Sequence, residues 1–361
     1  MLKKLHLPLW SLLLPVLGII LLMFGSAMQN SFMDGVMAVV LVGVVLAAVH
    51  HAEVVAHRVG EPFGTLILAV AITVIEVSLI VSIMMSEGET AAALARDTVF
   101  AAVMIILTGM VGLCLLAGGY RYREQVFVKE GVSAALIVLT AISALTLVLP
   151  NYTTSAPGPF YSKSQLIFVS IVSLVLYGAF ISMQTIRHRD YFLPADPTNE
   201  SEDSHAAPPS KLTTIVSLAF LMLALVAVVM LSKKLSPTLE RLVFSWGAPK
   251  SLVGVLIAFV ILLPEGMAAL RAARRNRLQT SLNLALGSAL ASISLTIPCV
   301  AIVSIVLDFP ISLGIDTKST LLLLISLLVL KLFVGAGRSN ILQGIVLLVI
   351  LATYFFVTIV P

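Results

Sequence analysis

Charge is scarce in this chain. Only 11% of its 361 residues are Asp, Glu, Lys or Arg, against about a quarter in an average soluble domain. So little charge excludes an ordinary globular protein in water. Cysteine is nearly absent. Cys114 and Cys299 stand alone in apolar runs, which excludes a disulfide framework and a structural zinc site and leaves two small buried residues. The chain also lacks His-Glu-x-x-His, Gly-x-Ser-x-Gly and any close aspartate pair within its apolar runs. Nothing therefore nominates a nucleophile or a hydrolytic metal, so an enzyme is not expected and no cofactor is called for. The formal net charge of +4 is carried by scattered loop residues and gives no footprint for nucleic acid.

What is present is hydrocarbon. Hydrophobic residues make up 59% of the chain and the mean hydropathy is +1.09. This is the composition of an all-α polytopic membrane protein. Runs long enough to cross about 30 Å of lipid recur about eleven times. They fall near residues 9–28, 33–50, 62–85, 98–117, 131–150, 165–184, 212–231, 251–270, 281–307, 319–335 and 340–360. The first follows Met1-Leu2-Lys3-Lys4 and imitates a signal peptide, Gly25-Ser26-Ala27 included. It is longer than a typical signal core, so it reads as an uncleaved span.

The basic residues orient the chain. A cytoplasmic N-terminus puts Lys3, Lys4, Arg58, Arg121, Arg123, Lys129, Arg187, Arg189, Lys211, Arg271, Arg274, Arg275, Arg277 and Arg338 inside, and half as many outside. Lys233, Lys234, Arg241 and Lys250 break the rule in one outer loop. The expected location is a bacterial inner membrane with the C-terminus external. Lipid, small cations and protons are the expected partners, and self-association is open.

With residues 1–30 set aside as an extra first helix, residues 31–186 and 212–361 hold five spans each, joined by an acidic linker at 187–211. Two halves of odd span number must be inverted relative to each other, a layout shared with secondary transporters. The linker, with Pro194, Asp196, Pro197, Glu200, Glu202, Asp203, Pro208 and Pro209, is too polar to build a core.

In each half the second span carries one acid deep in apolar sequence: Glu76 in the first, Glu265 in the second. An ionisable side chain at that depth costs roughly 2.5–3.5 kcal/mol on insertion scales and is a functional candidate by default. Burial raises a carboxyl pKa, and two neighbouring carboxyls titrate as a pair. Such a pair can hold protons, or release them and hold a hard cation such as Ca2+. Alternate exposure of that pair to the two sides makes a cation/proton antiporter. A passive channel lined by acids from repeated subunits is the alternative class.

Supporting ligands are sought nearby. Pro264 denies the carbonyl of Val260 its helical partner, and Gly266 loosens the same turn. Thr73 lies three residues before Glu76 on the same face, while Ser288 and Ser292 share a face of the following helix. Against this, a serine or threonine in a membrane helix commonly bonds its own i−4 carbonyl. The helix after each acid is rich in small residues, notably Thr98, Ala101, Ala102, Thr108, Gly109 and Gly112 in the first half. These are either packing seams or room for a ligand. His50, His51 and His57, with Glu53, cluster at the end of the second span as candidate pH sensors.

The stretch Gly60-Glu61-Pro62-Phe63-Gly64-Thr65-Leu66-Ile67-Leu68-Ala69-Val70 with Glu76 resembles the first repeat of the cation/proton exchanger branch of the calcium/cation antiporter superfamily. Pro264-Glu265-Gly266, then Asn276-Arg277-Leu278-Gln279 and Leu284-Ala285-Leu286-Gly287-Ser288, resembles the second. The likeness is greatest to bacterial ChaA-type calcium/proton and sodium (potassium)/proton antiporters. It implies that Glu76 and Glu265 bind the transported cation and protons, within two inverted five-helix repeats. The branch carries Gly-Asn-Ala before each acid, where this chain has Ile72-Thr73-Val74 and Ile261-Leu262-Leu263. The serine and asparagine of its fourth span are apolar here, near Ala102–Ile106. Fewer amide and hydroxyl ligands bring Na+ and K+ into the expected set beside Ca2+.

Overall fold

Backbone amides in hydrocarbon must find partners within their own segment, so the apolar runs fold as helices. The computed structural model describes residues 7–24, 31–60, 63–193, 209–245, 249 and 251–360. Lys3, Lys4, Gly25-Ser26-Ala27, Glu61-Pro62, Lys250 and most of the acidic linker (194–208) lie outside the described residues. The helices are α1 (Leu9–Phe24), α2 (Ser31–Val59), α3 (Phe63–Glu87), α4 (Leu94–Met104), α5 (Val111–Tyr122), α6 (Lys129–Ser143), α7 (Lys163–Ser182), α8 (Lys211–Ser245), α9 (Ser251–Arg274), α10 (Leu278–Leu307), α11 (Thr317–Ala336) and α12 (Ile341–Ile359). A π-helical turn, Ile105–Met110, splices α4 to α5 into one span. Among the described residues ten spans are long and apolar enough to cross a membrane, and Leu9–Met23 is a shorter apolar helix.

The helices cluster into two units that cut across the two halves of the sequence. In the first, α2 packs on α1, α3 and α8, and α1 and α3 also meet α8. Val44, Ala47, Ala48, Ala224, Ala227 and Leu231 are fully buried there. One expectation is corrected: Lys233, Lys234 and Arg241 belong to no loop, because α8 runs on to Ser245 through Pro237. A polar contact with α2 supports this extension. Thr238 Oγ1 donates to Asp34 Oδ2 at 2.8 Å, and Arg241 Nη2 donates to Thr238 Oγ1 at 3.0 Å.

The second unit is built around the α4–π–α5 span, in which residues 98–112 are all buried. α10 packs on α4, α5, α6 and α7, and α12 packs on α5 and the π turn. Gly109 and Gly112 face Leu351, Leu348 and Leu347 of α12, so of the two readings they take the packing one. α12 comes so close that a Cβ on Gly344 would stand 2.6 Å from the backbone nitrogen of Leu116.

Both ends of this unit are tied. At one end the α10–α11 loop pairs with the α6–α7 loop: Gly314 N donates to Pro159 O at 3.0 Å and Asn151 Nδ2 to Ile315 O at 2.6 Å. Arg96 clamps the same loop, with Nε on Asp97 Oδ1 at 2.8 Å and Nη1 on Gly314 O at 2.9 Å. Tyr161 donates to Leu145 O, and burial pushes its phenol up to about 12. At the other end β1 (Gln125–Val126) pairs antiparallel with β2 (Arg338–Ser339), Gln125 opposite Ser339.

Candidate cation site

Glu76 occupies one stripe of α3. Thr73, Glu76, Ile80 and Ile83 are buried, while Val70 and Val74 on the other side are exposed. That spacing of three and four residues is one helix face, so the acid is turned away from the lipid-facing side. Its side chain is 2% exposed. Thr73 Oγ1 donates to Ala69 O at 2.8 Å, the ordinary i−4 bond of a membrane threonine. The hydroxyl hydrogen is thus committed, but the oxygen keeps lone pairs that can accept a proton donor or a cation.

Glu265 follows the same rule on α9. Ala258, Ile261, Leu262, Glu265, Ala269 and Ala272 form the buried face, and Leu256, Phe259 and Met267 the exposed one. The helix continues unbroken through Pro264. A mid-helix proline costs about 3 kcal/mol relative to alanine and leaves the carbonyl of residue i−4, here Val260, without an N–H.

Contacts at three levels lay α9 parallel to the α4–π–α5 span. A Cβ on Gly254 would stand 2.9 Å from the backbone of Asp97 and Thr98, an approach only glycine allows. One on Gly266 would meet Met110 Cε at 3.6 Å. At the far end Tyr122 Oη donates to Arg274 O at 3.0 Å and Gln125 Nε2 to Ala273 O at 3.0 Å. Glu265 therefore sits level with the end of the π turn, a distortion that recurs at functional sites. The neighbouring span offers Met110 there, not an amide.

The other expected residues divide. Ser292 is buried and Ser288 half-buried on α10. His50 and His51 come together at 5.8 Å between ring centroids, whereas His57 and Glu53 are exposed. Cys114 is buried and Cys299 half-buried, both as free thiols. Glu76 belongs to the first unit and Glu265 to the second.

Asn276 and Gln279, read in the sequence only as part of a motif, belong to a chain of bonded amides at the end of α9. Asn276, with φ +58°, turns α9 into α10 and accepts Gln125 Nε2 at 3.0 Å. Gln279 Oε1 accepts Val128 N at 2.7 Å, and its Nε2 donates to Asn283 Oδ1 at 2.9 Å. Asn283 Nδ2 donates to Phe192 O at 2.6 Å. These residues hold the helix turns in place, and the signal available was amides at and just after an arginine-rich turn.

A polytopic helical protein with one buried acid on each of two helices is the class that the fold and these residues define. The sodium/calcium exchanger protein family matches residues 10–186 and 216–360, leaving out the linker. The chain belongs to that family. It is 43% identical to y4hA of Sinorhizobium fredii, over 99% of this chain and 98% of that one. It is 34% identical to the sodium-potassium/proton antiporter ChaA of Escherichia coli, over 95% of this chain and 94% of that one. Among solved structures, native YfkE superposes with a TM-score of 0.74 at 22% identity, covering 97% of this chain and 100% of that one. The shared fold is thus shown at low sequence identity.

Proposed function

We propose that the protein is a secondary active cation/proton antiporter of the bacterial inner membrane, with the N-terminus cytoplasmic and the C-terminus external. It exchanges cytoplasmic Ca2+, and also Na+ or K+, for external protons by alternating access. Two inverted five-helix repeats present Glu76 and Glu265, which act as one coupled cation- and proton-binding pair. Thr73, the Val260 carbonyl, Ser288 and Ser292 are the supporting oxygen ligands. One observation carries the reading: each half buries a single glutamate mid-helix on its second span, where a carboxyl is costly unless it is used. Exchange of one Ca2+ for two protons by two carboxylates is electroneutral by charge counting.

A second reading has its own support. Ca2+ takes six to eight oxygens, yet Met110 stands beside the Glu265 turn, and the relative at 34% identity is named a sodium-potassium/proton antiporter. On that reading monovalent cations are the main cargo and Ca2+ a minor one. The test is a panel of cations added to vesicles holding a pH gradient. The cargo cation dissipates the gradient, and vesicles acid inside take it up. Cation uptake that is indifferent to collapsing the gradient refutes proton coupling. Single-channel currents far above carrier turnover would assign the chain to the channel class instead.

A further inference from the structure

Ser11 lies on α1 four residues before Pro15. Proline has no N–H, so the Ser11 carbonyl lacks its helical donor. His51 of α2 supplies one: its Nε2 stands 3.0 Å from Ser11 O, and both residues are fully buried. A carbonyl only accepts, so Nε2 carries hydrogen, and the neutral ring then keeps its lone pair on Nδ1. That Nδ1 is buried without a hydrogen-bond partner among the described residues, as is Nε2 of His50. The His51 ring lies 5.6 Å from Phe220 of α8 and 5.8 Å from His50, whose other side meets Trp10 at 5.4 Å. A second proton on His51 would create a cation in this buried slot, with no acceptor for it among the described residues and another imidazole beside it.

Few charges compete for that role. α1 carries no charged residue. α8 has only Lys211 near this level, nine residues before Phe220. α3 contributes Glu76, roughly 7 Å further along the α2–α3 hairpin by helix rise. On α2 itself His50 is the neighbour, Glu53 and His57 are exposed, and Arg58, two turns further on, donates to Pro209 O at 3.2 Å.

We propose that His51 is a positioning residue for exchange. In its neutral form it latches α1 onto the α2–α3 hairpin that carries Glu76. A proton arriving from the side where α2 ends, cytoplasmic in the orientation proposed above, opens the latch and slows transport. The inference rests on the antiporter reading. The latch therefore adds to the proton dependence of the glutamate pair an acid response on one side only, through a separate group.

The experiment uses the full chain in vesicles whose two sides are buffered separately. Wild-type exchange is expected to fall about tenfold per pH unit once that side passes below the imidazole midpoint, the slope of a single titrating group. His51→Gln keeps an N–H for Ser11 O but does not titrate, so the steep fall on that side is lost and only the response common to both sides stays. His51→Leu is slow at every pH. Pro15→Ala leaves His51 in place but gives Ser11 O a helical donor, so its acid response shrinks. An acid response unchanged in both His51→Gln and Pro15→Ala overturns the latch alone. A wild type with no proton-driven cation flux at any pH overturns the antiporter reading, and the latch with it.

Discussion

α3 and α9 solve one problem in two ways. Each hides a single acid on the buried stripe of an apolar helix, yet the turns around the acids differ. Glu76 sits in unbroken helix with a threonine three residues before it, whose hydroxyl is tied to Ala69 O. Glu265 sits between Pro264 and Gly266, in a helix denied one of its own hydrogen bonds. α3 thus offers a side-chain oxygen and a stiff backbone, whereas α9 offers a backbone carbonyl and a turn that can yield. Two acids in equivalent places need not have equivalent ligands, and the substitutions that disturb them should separate.

The largest effect falls on the acids themselves, where the two helices should agree. Glu76→Gln and Glu265→Gln should each lower exchange at least about a hundredfold, the loss of roughly 3 kcal/mol expected for a charged ligand. Both variants should still insert and purify normally, and full activity in either would remove that residue from the site. Pro264→Ala should part the two helices. It returns an N–H to Val260 O, so melting temperature should rise while half-saturating cation concentration increases about tenfold, for roughly 1.4 kcal/mol. Unchanged affinity would show that the carbonyl is no ligand. Gly254→Val forces α9 off the backbone of Asp97 and Thr98 and should cost about 1–3 kcal/mol, read as lower thermal stability.

On the α3 side the effect should be smaller. Thr73→Val should weaken cation binding about three- to fivefold, under 1 kcal/mol, with Thr73→Ser restoring it. A serine that fails to rescue would assign Thr73 to packing. The smallest effect lies far from both acids. The Lys163 ammonium, 2.8 Å away, holds the Asp308 carboxyl below the usual carboxylate range. That pair stabilises the fold above the ordinary carboxylate pKa and loses its effect as acid protonates Asp308 through its lowered value. Lys163→Met should lower the melting temperature slightly around pH 7 and not at all below about pH 2.

Much of this was legible in the residues. The spans could be read because hydrocarbon leaves the backbone little choice but helix, and the two glutamates stood out because nothing else charged lies so deep in its run. Less could be read where the signal was local or long-range. The extension of α8 through Pro237 reads as a loop in the sequence because its residues are polar, and the support from Asp34 comes from 204 residues away. The π turn at Ile105–Met110 has no compositional mark. The role of Gln279 depends on partners as distant as Val128, which no spacing rule reaches. His51 reads in the sequence as one of a histidine cluster, and its partner, the Ser11 carbonyl freed by Pro15, comes from another helix 40 residues away.

The central claim is that Glu76 and Glu265 hold one cation together. Binding stoichiometry in the purified protein tests it most directly, measured by calorimetry in buffers of different ionisation enthalpy so that released protons are counted too. The account predicts one cation per chain with proton release in the wild type, and no binding in either Glu76→Gln or Glu265→Gln. Two cations in the wild type and one left in each single variant would mean two separate sites, and would contradict it.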